Sequence, residues 1–154
     1  MKSLYKSISA ILICCMFLFN SCSKDDSQIT YDLTGNWKVA YYIENGIKIT
    51  KTKENTWLDI NNGDITASFA EPQNGGVGSI SGIKVTNSYS GEFRAQTNGE
   101  ISIGQVFQTE ANEPEWTELY KISEAEYYEI KNSKLHIYYN GRKNVIVLEK
   151  IRPF

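Results

Sequence analysis

The residues best suited to catalysis or metal binding are few in this chain of 154 residues. His136 is the single histidine, so any Ser-His-Asp triad would depend on it, and no nucleophile-elbow motif is present. A zinc site would need several His or Cys ligands. The segment "KLHIYY" predicts a strand with His136 on the face opposite Leu135 and Ile137. We therefore expect a surface or barrel-wall histidine, no catalytic residues, and no metal or other cofactor.

Two further segments contain residue types that bind ions in other proteins. "DINNGDI" places oxygen atoms at Asp59, Asn61 and Asp64, but it lacks the spacing and the final glutamate of an EF-hand loop. "PQNGGVGSISG" is rich in glycine, but it lacks the Lys and Ser/Thr of a phosphate-binding loop. We interpret both segments as hairpin turns or loops. A carboxylate pair for glycoside hydrolysis stays open as a weaker hypothesis, because acidic residues are plentiful.

A different kind of chemistry is predicted near the amino terminus, in "MKSLYKSISAILICCMFLFNSC". Lys2 and Lys6 precede an apolar run from Ile8 to Phe19. As a helix this run would be about 18 Å long, whereas the hydrocarbon core of a bilayer is about 30 Å thick. The pattern therefore predicts a signal peptide over residues 1–21 rather than a transmembrane helix. Beyond it, Cys22 is the only cysteine.

The border at Cys22 resembles a bacterial lipoprotein signal, in which cleavage occurs before a cysteine that then carries acyl chains. A lone cysteine cannot form an internal disulfide. Phe19 stands where leucine is usual in such signals. Removal of residues 1–21 would leave 14 basic against 18 acidic side chains. We therefore expect the acyl chains, rather than charge, to hold the protein at a membrane, and the charge balance gives no case for nucleic acid.

The residues after the cysteine resemble a sorting signal. Ser23, Lys24, Asp25 and Asp26 resemble the short Lys-then-acidic export tag that sends some lipoproteins to the outer face of the outer membrane. The alternative interpretation is a solvated tether on a protein of the periplasmic leaflet. We predict a lipidated tether over residues 22–33 and one folded domain over residues 34–154.

The rest of the chain is typical of a β protein. Asn-Gly, the dipeptide that best fits a type I′ hairpin turn, occurs five times. Between these turns lie short runs of strand character, among them "TWLDI" and "EISIGQVF". Such a pattern indicates a sandwich or barrel, and we expect an open or cracked barrel of about eight strands. The Asn-Gly pairs begin at Asn45, Asn62, Asn74, Asn98 and Asn140.

One segment, "TEANEPEWTELYKISEAE", favours a helix from Glu113 to Glu124. Asn112 is a suitable N-cap, and Pro114 falls in the first turn. One face of this helix would pack on the sheet. That face contains Trp116, Leu119, Tyr120 and Ser123.

Three tyrosine pairs place one ring on each face of a predicted strand. The inward rings are most simply core residues, and the outward rings form either ordinary surface or an exposed aromatic patch that marks a binding surface. The pairs are Tyr41-Tyr42, Tyr127-Tyr128 and Tyr138-Tyr139.

Five segments follow one another in an order found in a known family. They are "LTGNW", "NSYSGEF", "GEISIG", "TEANEPEWTELYKISEAEYYEIKNSKLHIYYNG" and "VIVLEK". From Leu33 to Lys150 the chain thus resembles the META domain, also called HslJ-like. The resemblance implies an open barrel-like fold, no known catalytic residue set, and a role in the envelope or in stress. Thr86 and Ala111 stand where many META domains carry cysteines, so no disulfide role is carried over.

A second resemblance covers only a few residues. Gly35, Asn36 and Trp37 match the G-x-W motif of lipocalins, in which a cation of the last strand lies over the tryptophan. Lys150 or Arg152 would supply that cation. Our first hypothesis is therefore a non-enzymatic outer-membrane lipoprotein that binds an unidentified protein or polymer. The alternative is a lipocalin-like carrier of a small apolar ligand.

Overall fold

A computed structural model of the protein describes residues 32–73 and 76–151. Ten antiparallel strands in these residues form one continuous sheet, and eight of them follow one another around a barrel. The strands are β1 (Gly35–Glu44), β2 (Ile47–Thr50), β3 (Thr66–Phe69), β4 (Val77–Lys84), β5 (Asn87–Ala95), β6 (Ile101–Ile103), β7 (Phe107–Gln108), β8 (Tyr127–Lys131), β9 (Lys134–Tyr139) and β10 (Asn144–Lys150).

The barrel is nearly closed, with one unsealed seam. Its strands follow the order β6-β5-β4-β3-β1-β10-β9-β8, while β2 pairs with the second half of β1 and β7 pairs with β5. At the seam, the Tyr128 amide donates to the Gly99 carbonyl over 2.7 Å, and the Ile101 amide donates to the Glu126 carbonyl over 3.3 Å. The prediction of a cracked barrel of about eight strands is confirmed.

Alternation along β1 shows how the sequence fills this barrel. Trp37 and Val39 are buried in the core, and so is Tyr42. A bulge between Val39 and Tyr41 shifts the pairing with β10 by one residue. Because side chains alternate with period two, this bulge is what turns Tyr42 inward after Val39 and leaves Tyr41 outside.

The turns follow the Asn-Gly signal at two clear positions. Asn45 and Gly46 both have positive φ, 48° and 82°, between β1 and β2. Asn140 and Gly141 have φ of 53° and 63° between β9 and β10. At Asn62 the hairpin prediction is wrong, because that residue lies in a 3-10 turn, Asn61–Gly63, which leads out of a long loop. The predicted turn at Asn74 lies outside the described residues.

Two local predictions need correction. "TWLDI" is not a strand but part of the loop between β2 and β3, in which Thr56 is buried and Trp57 is exposed. The single predicted helix is present but shorter: α1 spans Glu115–Glu118, and a separate 3-10 turn spans Ile122–Glu124. Its N-cap is Pro114 without a side-chain cap, so the prediction of Asn112 as N-cap is wrong.

The amino-terminal approach to β1 seals one end of the barrel. Leu33, the last residue of the predicted tether, is buried in the core. The Trp37 indole nitrogen donates to the Leu33 carbonyl over 2.8 Å. Lys150 Nζ lies 5.4 Å from the centre of the Trp37 ring, which is the cation position that the lipocalin resemblance implied. Arg152 lies outside the described residues.

Within residues 32–73 and 76–151, no helix has the length and apolar character needed to cross a bilayer.

Candidate binding surface

The predicted lipidation and export residues fall in a part of the chain that the structure does not describe. Cys22 and the four residues after it precede residue 32, as does the predicted signal peptide over residues 1–21. Their roles therefore stay predictions. The four predicted export-tag residues are Ser23, Lys24, Asp25 and Asp26.

The barrel interior is filled by large side chains. The Tyr42 and Trp116 rings meet edge to face with centres 4.6 Å apart, and so do the Phe69 and Phe93 rings at 5.2 Å. Edge-to-face pairs of this kind add to the stability that burial already provides. The helix α1 contributes Trp116, which is 1% exposed and belongs to the core.

Several polar groups accompany this apolar filling. The Tyr89 and Tyr120 hydroxyls lie 2.6 Å apart, and burial raises the pKa of both tyrosines. The Tyr42 hydroxyl and the Trp116 indole nitrogen are buried, and neither has a hydrogen-bond partner among the described residues. Burial also raises the pKa of Tyr42, with neighbouring Tyr139 as a second cause.

The outward side of β1, β10, β9 and β8 carries the most distinctive surface. We call it the tyrosine face and define it by six residues. Cross-strand register places them in two rows. In the first row Tyr41 pairs with Val147, which pairs with His136. In the second row Val145 pairs with Tyr138, which pairs with Tyr127. The face consists of Tyr41, Tyr127, His136, Tyr138, Val145 and Val147.

The two valines of this face are covered although they point away from the core. Val147 is 0% exposed and Val145 is 6% exposed. Each lies between larger side chains of the adjoining strands, within the reach that cross-strand neighbours have. The result is a half-buried aromatic surface with an apolar floor, rather than scattered rings.

Cations and one carboxylate border the face. Lys48 Nζ lies 4.1 Å from the centre of the Tyr41 ring, and the Arg142 guanidinium lies 3.9 Å from that of Tyr127. Both distances are within the range of a cation–π interaction. The Tyr138 hydroxyl donates to Glu129 over 2.7 Å, and burial together with this bond raises the pKa of Tyr138.

His136 lies on β9 at the end of one row of the face and is partly desolvated. Its ring is 6.5 Å from that of Tyr138 and nearly parallel to it. Nδ1 is buried without a hydrogen-bond partner in the described part of the chain. Burial lowers the pKa of His136, although nearby Glu129 acts in the opposite direction. The barrel-wall position predicted for this histidine is therefore observed.

This arrangement is suited to binding. Aromatic rings and arginine are enriched in the central parts of protein interfaces, and a half-buried ring loses little entropy when it is covered. The sequence predicts one outward ring in each tyrosine pair, which the structure shows. The sequence does not predict that Lys48 and Arg142 lie over the tyrosine rings. Those contacts depend on the conformation of the two turns that carry the cations back toward the rings.

A separate group of exposed apolar side chains, in the loop after β2, is not predicted from the sequence. Trp57, Leu58 and Ile60 are 40%, 36% and 43% exposed in the loop after β2. The sequence pattern of this segment predicts a strand, whose alternation would bury half of these side chains. The loop is instead fixed by the Asn55 carbonyl, which accepts a 2.9 Å bond from the Trp116 amide.

The fold and surface together define a nearly closed, eight-stranded antiparallel barrel with a packed interior and an aromatic outer face. Comparisons with protein-family models, with curated proteins and with solved structures found no match to this chain. The META-like and lipocalin-like assignments therefore stay predictions.

Proposed function

We propose that this protein is a non-enzymatic, lipid-anchored envelope lipoprotein of the META type that binds a protein partner through the tyrosine face. The anchor is Cys22, and the barrel presents the face. The observation that carries the proposal is the continuity of the face, in which Val147 is 0% exposed and pairs with Tyr41 on one side and His136 on the other. Isolated surface tyrosines do not cover an apolar floor in this way.

The chemistry of the face suggests what kind of partner surface fits. Lys48 and Arg142 lie over rings and offer charge at the two ends of the apolar floor. Such cations favour a partner that brings acidic or carbonyl groups around an apolar centre. We infer a binding role in the cell envelope or in the stress response. The crosslinking experiment below would identify the partner.

The carrier alternative has less support. A carried apolar ligand needs an enclosed cavity of a few hundred Å³. In this barrel the positions that would line such a cavity are filled by Tyr42, Trp116, Phe69 and Phe93, which contact one another in pairs. The Lys150–Trp37 contact is shared with lipocalins, but it closes one end of a barrel and does not by itself provide a ligand site.

Site-specific photo-crosslinking in living cells tests the proposal. Benzoylphenylalanine replaces Tyr41 on the face in one variant. In the other it replaces Ser79, which is exposed on β4. We expect a defined protein adduct at position 41 and none of the same mass at position 79. Equal adducts at both positions would contradict a role for the face.

Charge reversal adds a matched control to this experiment. The double variant Lys48→Glu/Arg142→Glu removes both cations from the face, and Lys53→Glu/Lys121→Glu makes the same change of charge at exposed positions outside the face. We expect the adduct at position 41 to weaken in the first variant only. An adduct that persists in both variants would show that the cations do not contribute.

A further inference from the structure

A second surface, on β3, β4 and β5, has a different chemistry. It is a groove of about 530 Å³ on the outside of the barrel, which we call the serine groove. This volume lies within the range of about 300–1,000 Å³ that small-molecule sites occupy. None of its ten lining residues carries a formal charge. The residues on which the argument depends are Asn36, Ser68, Ser81, Ile83, Ser88 and Ile151.

Three serine hydroxyls lie in the groove, within a lining that is mostly apolar. Ser68 of β3 pairs directly with Ser81 of β4, and Ser88 of β5 pairs with Ile83. Among the described residues, the side-chain hydroxyls of these three serines have no hydrogen-bond partner. Each hydroxyl donates one hydrogen bond and accepts others, so the groove offers both functions side by side.

Gly82 of β4 lines this groove in close contact with β3 and β5. A Cβ atom on Gly82 would collide with the Thr66 carbonyl and would lie 2.8 Å from the Tyr89 ring. Gly82 therefore has no room for a side chain, and the core residue Tyr89 lines the groove beside it. Ile83 and Ile151, 42% and 37% exposed, supply apolar surface beside the hydroxyls.

The lining selects against several classes of ligand. Phosphates and carboxylates are held by arginine, lysine or clustered backbone amides, and no basic side chain lines the groove. A peptide added as an extra strand needs a free sheet edge, but β4 is paired with β3 on one side and with β5 on the other. Recognition must therefore use uncharged side chains.

We propose that the serine groove is a binding site for a neutral carbohydrate. Sugar hydroxyls donate and accept hydrogen bonds as serine hydroxyls do. The C–H faces of a sugar ring fit the apolar surface of Ile83 and Ile151. The groove is separate from the tyrosine face, which lies on β1, β10, β9 and β8, so this proposal is independent of the partner proposed above.

The test is a titration of the full chain, purified in detergent and labelled with ¹⁵N, with maltotriose, cellotriose and triacetylchitotriose. Trigalacturonate and trialanine serve as anionic and peptide probes of similar size. We expect at least one neutral trisaccharide to shift the amide resonances of Ser81 and Ser88 saturably. No saturable shift with any of the three trisaccharides, or a stronger response to trigalacturonate or trialanine, would overturn the proposal.

Substitutions locate the binding. Ser81→Leu/Ser88→Leu fills the groove and removes two hydroxyls, so we expect affinity to fall by about tenfold or more. Ser102→Leu is the matched control, because Ser102 is exposed on β6 and does not line the groove. Ser81→Ala, which removes a hydroxyl without adding volume, provides a milder variant should the leucines disturb folding. Binding that survives both Ser81→Leu/Ser88→Leu and Ser81→Ala would also overturn the proposal.

Discussion

The Tyr89 and Tyr120 hydroxyls meet at 2.6 Å inside the barrel, and the direction of the bond between them is fixed by a third group. Tyr89 donates its only O–H to the Thr66 carbonyl over 2.9 Å, and a carbonyl can only accept. Tyr120 must therefore donate to Tyr89. This pair links the strand β5 to the segment after α1.

The direction of that bond predicts unequal effects of two similar substitutions. Tyr120→Phe leaves the Tyr89 donor satisfied, so we expect a loss of about 1 kcal/mol in the free energy of unfolding. Tyr89→Phe removes both bonds and leaves the buried Tyr120 donor without its acceptor, so we expect about 2–3 kcal/mol. Urea unfolding measures both values. Equal losses, or a larger loss for Tyr120→Phe, would show that the bond runs the other way.

The barrel seam depends on Gly99, which has φ of +90°. A Cβ atom there would collide with the Tyr127 ring and lie 2.7 Å from the Tyr128 carbonyl. Gly46 is the matched control, because its φ is +82° but no atom lies within 4 Å of the position that a Cβ would take. We expect Gly99→Ala to cost about 1–3 kcal/mol more than Gly46→Ala, since only the first adds overpacking to backbone strain. Similar costs in thermal unfolding would mean that the seam relaxes freely.

The lowered pKa of His136 predicts how stability changes with pH. Burial is the main cause, so the folded protein binds a proton on His136 less readily than the unfolded chain, whose histidine titrates near its ordinary value of 6.5. The unfolded state therefore binds more protons below about pH 6.5. This contribution to stability is complete above that pH and is lost as pH falls through the folded pKa.

The measurement compares the native chain with His136→Gln. We expect the stability difference between about pH 7.5 and about pH 5 to be smaller in the variant. Carboxylates titrate in the same range, but both proteins share them, so the difference between the two proteins isolates His136. Parallel stability curves would contradict the predicted shift.

Lipid anchoring is tested at Cys22. We expect Cys22→Ala to move the protein from the membrane fraction to the soluble fraction, because acyl chains are the predicted source of membrane affinity. Cys14→Ala/Cys15→Ala is the control, since both residues lie within the predicted signal peptide. A Cys22→Ala protein that still sediments with membranes would refute the lipoprotein prediction.

Surface display is tested separately. Replacement of Lys24, Asp25 and Asp26 with alanine is expected to protect the protein from protease added to intact cells. Substitution of Ser27 and Gln28 with alanine should leave cleavage unchanged. If the first variant is cleaved as readily as the native chain, these three residues do not act as an export tag.

Much of the barrel is predictable because its signals are local. Adjacent residues of a strand point to opposite faces, so Tyr41 and Tyr42 are placed on opposite faces from sequence alone, although the bulge after Val39 decides that Tyr42 is the inward ring. Positive φ at Asn45 and Gly46 follows from the preference of that dipeptide for a type I′ turn. The turn at Asn132 and Ser133, with φ of 53° and 59°, carries a weaker local signal and is not predicted.

The errors arise where tertiary contacts override local patterns. "TWLDI" contains residue types typical of a strand, but the preceding Asn55 accepts a hydrogen bond from the Trp116 amide and the segment is a loop. The helix is predicted at three turns and is one turn long, because the backbone leaves helical dihedrals at Lys121, whose φ is −84° and ψ 48°. The serine groove is not predicted, because Ser68, Ser81 and Ser88 come from three strands whose register no single segment specifies.

The sequence by itself determined the β character of the domain and the division of each tyrosine pair between the two faces of its strand, and it predicts Cys22 as an anchor. Each depends on neighbouring residues: strand parity, turn dihedrals, or the border of an apolar run. Only the tertiary structure decided that large rings fill the barrel, that Lys48 and Arg142 lie over tyrosines, and that uncharged hydroxyls line a groove. Those features depend on strand order and register, because they join residues that lie far apart in the chain.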